Sequence, residues 1–125
     1  MKLTIYFLYS FLTLFFSSLD VKDDVVTALK SGKASELVKY FEEKVTIKII
    51  TQEDVLSKSQ AEANLKYFFD KHNVKSFTET QTGSSINSSA QYLTGSLETS
   101  NGKFRVSILI KRNLISQFRI ETDND

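Results

Sequence analysis

The sequence predicts an α+β domain whose elements run α-α-β-α-β-β-β-β, and three observations carry that reading. Apolar residues recur at helical spacing over residues 20–30 and again, behind a capping signal, over residues 59–73. From Ser76 onward the period changes to two, and Thr, Ser and β-branched residues dominate, so the last fifty residues should form an antiparallel sheet. Without a 19-residue leader, 125 − 19 = 106 residues remain, enough for one domain and too few for a second core.

The leader is read from the first residues. Met1 and Lys2 precede Leu3–Phe16, whose polar members are Thr4, Ser10, Thr13 and the tyrosines, and Ser17, Ser18 and acidic Asp20 follow. That is the layout of a secretory signal over residues 1–19, with the domain proper over 20–125. Fourteen helical residues reach roughly 21 Å, short of the roughly 30 Å hydrocarbon core. Export to the periplasm or beyond is therefore expected, with no transmembrane helix once the signal is removed. Phe16 departs from the small residue that signal peptidases prefer, so an uncleaved anchor is the competing outcome.

In the domain, Val21, Val25, Val26 and Leu29 share one helical face, with acidic residues at the start and Lys30 near the end to suit the macrodipole. Gly32 can end this helix, and Ser35 is expected to cap a second one carrying Leu37, Val38, Tyr40 and Phe41. Val45, Ile47 and Ile49 alternate with Thr46 and Lys48 as a half-buried strand. After a polar stretch, Ser59 and Glu62 form a capping-box pattern for a third helix bearing Ala61, Leu65, Phe68, Phe69 and His72. The Ser-rich stretch Gly83–Ser89 reads as a bulged hairpin connection.

Turn chemistry then predicts the sheet register. Asn101-Gly102 is a type I′ signal that sets Leu97 opposite Val106, Gly95 opposite Ile108 and Leu93 opposite Ile110. A two-residue turn at Arg112-Asn113 would throw Phe118 and Ile120 onto the face opposite Phe104 and Val106. A three-residue loop, Lys111–Asn113, is expected instead, with Val106 opposite Phe118. One face then holds Leu93, Gly95, Leu97, Phe104, Val106, Ile108, Ile110, Phe118 and Ile120. The other holds Glu98, Arg105 and Arg119 in one row with Glu121 diagonal to Arg105, and Tyr92, Leu109 and Ile115 beside them.

Composition excludes several functions. Cys is absent, so there is no disulfide, thiolate metal site or Cys nucleophile. The 16 basic and 15 acidic residues give a net charge of +1, and Lys111-Arg112 is a solvated hairpin tip, so no nucleic-acid partner is expected. Phosphate-cradling Gly loops, Ser-His-Asp arrangements and zinc spacings are missing. His72 is the one histidine, at a helix end where it complements the dipole, and no metal or cofactor is expected.

The run Tyr92-x-x-Gly95-x-Leu97-x-Thr99-x-x-Gly102-x-Phe104-Arg105-Val106 and the ending Phe118-Arg119-Ile120-Glu121 resemble DUF4783, a family of small exported proteins of Bacteroidetes-type bacteria. The likeness covers Val21–Glu121, and the element order looks like the cone of the nuclear-transport-factor-2-like (NTF2-like), or cystatin-like, superfamily, a curved antiparallel sheet wrapped around helices. The resemblance implies a fold and an export route, and no activity. Enzymes of the superfamily, ketosteroid isomerases and dehydratases, place an Asp or His base inside the cone, but no Asp or Glu falls on the inward face of the late strands in this register.

Two binding readings follow for a non-enzymatic module. In one, the outer face (Tyr92, Glu98, Arg105, Leu109, Ile115, Arg119) docks a protein partner or a second copy as a homodimer. In the other, Tyr40, Phe68, Leu97, Phe104, Val106 and Phe118 line an apolar core or a small cavity for a lipophilic ligand. The competing reading is a small cavity enzyme using Tyr40 and His72.

Overall fold

Helix α1 (Val21–Ser31) buries Val25, Ala28 and Leu29, and the short helix α2 (Ala34–Leu37) buries Ala34 and Leu37 before a 3₁₀ turn over Val38–Tyr40. The computed structural model describes residues 21–84 and 90–123. The signal stretch and most of the Gly83–Ser89 connection therefore lie outside the described residues. Ser35 is inside α2 and does not cap it. The N-cap is Lys33, without a side-chain bond of its own, and its N–H donates to Ser31 Oγ at 3.2 Å.

The strand after the turn, β1 (Phe41–Ile49), folds back through Ile50-Thr51 into β2 (Gln52–Ser57), an element that the polar composition of residues 52–57 did not announce. Because β2 runs straight into helix α3 (Lys58–Lys71), its last residue is the N-cap. Ser57 Oγ accepts from the Gln60 N–H at 3.3 Å, and Gln60 Oε1 accepts from the Ser57 N–H at 3.0 Å. The capping box is thus Ser57/Gln60, two residues upstream of the expected Ser59/Glu62. The apolar face of α3 is the expected one, with Ala61, Leu65, Phe68 and Phe69 buried.

Strands β3 (Val74–Ser84), β4 (Ala90–Thr99), β5 (Gly102–Lys111) and β6 (Leu114–Thr122) complete one six-stranded sheet in the order β2-β1-β6-β5-β4-β3. Its neighbours are antiparallel except for the parallel β1–β6 pair.

Both predicted hairpin registers change, for different reasons. Between β4 and β5, Thr99 pairs with Gly102 and Leu97 with Phe104. Neither Ser100 nor Asn101 takes a positive φ. The left-handed position falls to Gly102 at φ +119°, the arrangement of a type I turn followed by a G1 bulge. Buried Thr99 fastens this turn by donating to the Gly102 carbonyl at 2.7 Å and accepting from the Asn101 N–H at 3.1 Å. The shift is two residues, so every side chain keeps its predicted face.

Between β5 and β6 the rejected two-residue turn is the one used, with Arg112 (φ +52°) and Asn113 (φ +67°) both left-handed and Lys111 opposite Leu114. A bulge then restores the faces. Ile110 pairs with Ile115 but Leu109 with Gln117, which leaves Ser116 as the extra residue, its hydroxyl donating to the Leu109 carbonyl at 3.4 Å. Phe118 and Ile120 turn inward opposite Ile108 and Val106, and so does Ile115.

Candidate functional site

The structure separates the residues expected on the outer face. Tyr92 is exposed and directly opposite half-buried Leu109, and Glu98 and Arg105 are exposed. Ile115 is not among them. It is fully buried beside Phe41 and Ile110, because the two-residue turn pairs it with inward Ile110 and the Ser116 bulge then returns Phe118 to the same face. The expected Glu98–Arg105–Arg119 row does not form either: Glu98 faces Lys103, Arg105 faces Glu121, and Arg119 faces Ser107. The charges converge instead where β2, β1 and β6 meet. Arg119 reaches over β1 to Glu53 on β2 at 3.0 Å, and Lys48 on β1 bonds Glu121 on β6 at 2.7 Å. The Lys48 hydrogen bond, with the charges of Lys48, Arg105 and Arg119, holds the Glu121 carboxyl below its ordinary value against an opposing push from partial desolvation.

Of the residues assigned to the core or cavity, Phe68, Leu97, Phe104, Val106 and Phe118 are buried. They fill the space under β4, β5 and β6, with the Phe118 ring 5.9 Å from Phe41 and the Phe68 ring edge-on to Phe104 at 5.2 Å. Tyr40 is half-buried and packs against this core, at the rim of a shallow depression beside α1 that includes Asp24 and Glu36 but not His72. Tyr40 and His72 are therefore not brought together. One carboxylate does reach the inner side of a late strand: Glu79 on β3 lies opposite Gly95, exposed, with Lys22 of α1 at 3.6 Å.

The cone is open at one corner. Between α3 and the β1–β2 hairpin lies a groove of about 360 Å³ with an apolar floor of Ile47, Ile49 and Phe68. Its polar residues come from two elements: Gln52 and Asp54 from β2, opposite Ile49 and Ile47, and Asn64, Tyr67, Lys71 and His72 from α3. The opening has a simple cause. At this corner β1 places Ile47 and Ile49 inward, whereas β2 places Gln52 and Asp54 opposite them, which do not close over the floor. Helix α3 brings Asn64, Tyr67, Phe68, Lys71 and His72 to one side through i, i+3 and i+4 spacing.

His72 is fixed at the end of α3. Its ring stacks on Phe68 at 4.2 Å and meets Phe104 edge-on at 5.2 Å. Nδ1 lies 2.9 Å from the Phe68 carbonyl, which only accepts, so Nδ1 carries the proton and Nε2 is the nitrogen left for a ligand. Gln52 Nε2 donates to Asp54 at 3.4 Å, and Lys71 Nζ donates to the Tyr67 hydroxyl. Among the described residues no hydrogen bond joins Asp54 to His72, and no group of three or more His, Cys, Asp or Glu side chains forms a metal cage.

The sequence marks Phe68 and His72 as candidates but not Ile50, Gln52, Asp54, Asn64 or Lys71. Their convergence depends on β2, and the Ile50-Thr51 turn carries none of the Gly, Asn or Asp that would have announced it.

The profile of DUF4783, a domain of unknown function, matches residues 22–122. The chain belongs to the DUF4783 family. A DUF4783 protein from Bacteroides uniformis is 32% identical, with a TM-score of 0.76 over 82% of this chain and 97% of its own. One from Bacteroides ovatus is 34% identical, with a TM-score of 0.75 over 82% and 94%. An NTF2-like protein of unknown function from Cytophaga hutchinsonii is 11% identical, with a TM-score of 0.59 over 82% and 87%, and shares the fold alone. The DUF4783 fold is thus NTF2-like, as the element order implied. None of the curated proteins matches this chain. Among the described residues no helix is long and apolar enough to cross a membrane.

Proposed function

We propose that this DUF4783 protein is an exported, non-enzymatic binding module whose ligand lies in the groove between α3 and the β1–β2 hairpin. One observation carries the reading. The interior under β4–β6 is filled by buried side chains, while the corner beside β2 offers an apolar floor rimmed by convergent polar groups, the anatomy of a small-molecule site.

Catalysis has less support. An acid–base pair must reach its proton, and the groove's one carboxylate, Asp54, is exposed and bonded to Gln52 rather than to His72. The outer face also has less support as a docking surface, because Ile115 is absent from it and Arg119 is held by Glu53 of β2.

The test is native mass spectrometry of the protein purified from the cells that make it, beside an Asn64→Trp variant that fills the groove from an exposed helix position. Extra mass on the wild type that the variant lacks supports the reading. The same extra mass on both, or a bare chain in both, overturns it.

A further inference from the structure

Resting on that reading, we infer that the groove takes an amphipathic anion, a molecule with an apolar body and one anionic head. The first ground is the apolar lip. Ile50 lines the groove, 37% exposed, at φ +63°, a left-handed backbone that a β-branched residue adopts only under strain. Its N–H donates to the Ile120 carbonyl at 2.7 Å, which holds the turn in place. Gly or Asn would fit that backbone with less strain, so what Ile50 adds is apolar surface beside Ile49.

The second ground is charge. Lys71 is the groove's one ammonium, it donates to the Tyr67 hydroxyl, and none of the ion pairs among the described residues includes it. Having accepted from Lys71, Tyr67 still has its own O–H to donate. An anionic head set there meets a cation and a hydroxyl donor together. Asp54 lines the groove from β2, not from α3, and already accepts from Gln52. The apolar body then lies along Ile49, Ile50 and Phe68.

Two fluorescent probes separate this inference from the reading beneath it: 1-anilinonaphthalene-8-sulfonate, and the same ring system without the sulfonate, N-phenyl-1-naphthylamine. Each is titrated into the wild type, Lys71→Gln and Asn64→Trp. The expected result is tighter binding of the sulfonate by the wild type, weakened about tenfold by Lys71→Gln, a change of about 1.4 kcal/mol. The uncharged probe should be indifferent to that change, and Asn64→Trp should weaken both. Equal affinity for the two probes, unaffected by Lys71→Gln but lost in Asn64→Trp, overturns the anion assignment and leaves the groove as a site. No binding of either probe, or binding untouched by Asn64→Trp, overturns the groove itself.

Discussion

The two halves of the cone use one sheet in opposite ways. Under β4, β5 and β6 the inward positions from Leu93 to Leu97, Phe104 to Ile110 and Ile115 to Ile120 carry apolar side chains or, at Gly95, let one approach, and Leu93, Leu97, Val106, Ile108, Ile110, Ile115, Phe118 and Ile120 are all but fully buried. At the other edge, β2 turns Gln52 and Asp54 inward and stays open against α3. Closure is thus decided strand by strand. Gln52 and Asp54, at inward positions of the edge strand β2, leave a groove beside that filled half.

The sharpest way to break this comparison is to carry the polarity of the open corner into the closed half. Ile115→Glu sets a carboxylate among apolar neighbours and should cost more than about 4 kcal/mol, enough to abolish the folding transition of a small domain. Phe118→Ala should cost about 3 to 5 kcal/mol through the cavity it leaves. Urea unfolding followed by circular dichroism checks both, and a wild-type midpoint for either variant would place that residue outside the core.

A smaller loss is expected at Gly95. A Cβ there would come 2.3 Å from the Phe77 ring and 2.6 Å from the Thr78 carbonyl oxygen, a clash that backbone and ring must both relieve. Gly95→Ala should destabilise by about 1 to 3 kcal/mol, read in the same denaturant experiment.

The open corner responds with the opposite sign. Left-handed backbone costs an L residue roughly 1–2 kcal/mol, and glycine's freedom in the unfolded chain returns roughly 0.5–1 of the gain. Ile50→Gly should therefore raise stability by about 0.5–1 kcal/mol while weakening the naphthalene probes. A melting temperature at or below that of the wild type would show that the turn is not strained.

The smallest effect is at the outer seam. Glu121 has a lowered folded pKa, so its pairing with Lys48 stabilises fully above the ordinary carboxylate value and fades as pH falls through the folded one. For a pair this accessible the loss should be no more than about 1 kcal/mol. Comparing acid unfolding of the wild type with Glu121→Gln measures it: the variant should show a shallower decline below pH 5, and parallel curves would assign the pair no role.

Much of the fold was legible because alternation survives errors of register. A two-residue shift at Thr99–Gly102 left Phe104 and Val106 on their predicted face, and the resemblance in Tyr92–Val106 pointed to the right family. Ile115 shows where alternation fails. A two-residue turn at Arg112-Asn113 throws Phe118 outward only where the strand is regular, and the extra residue at Ser116 satisfies both the turn and the core. No side-chain pattern near Ser116 marks that bulge.

The site was less legible than the fold. Gln52 and Asp54 look like loop residues until β2 is paired with β1, and Lys71 looks like an ordinary dipole-complementing lysine until Tyr67 is seen one turn away, its hydroxyl accepting from the ammonium. In the sequence His72 has the position of a dipole-complementing helix end. The structure keeps it at the helix end and adds the stacking on Phe68 that turns it toward the groove lining.

The most direct test of the central claim is an amide chemical-shift map of the isotope-labelled protein titrated with dodecanoate, an apolar chain with one carboxylate. A ligand in the groove should concentrate the shifts at Ile49, Ile50, Gln52 and Asp54 and on α3 from Asn64 through its C-cap His72. Shifts centred on Tyr92 and Leu109 of the outer face, or no shifts at all, would contradict that claim.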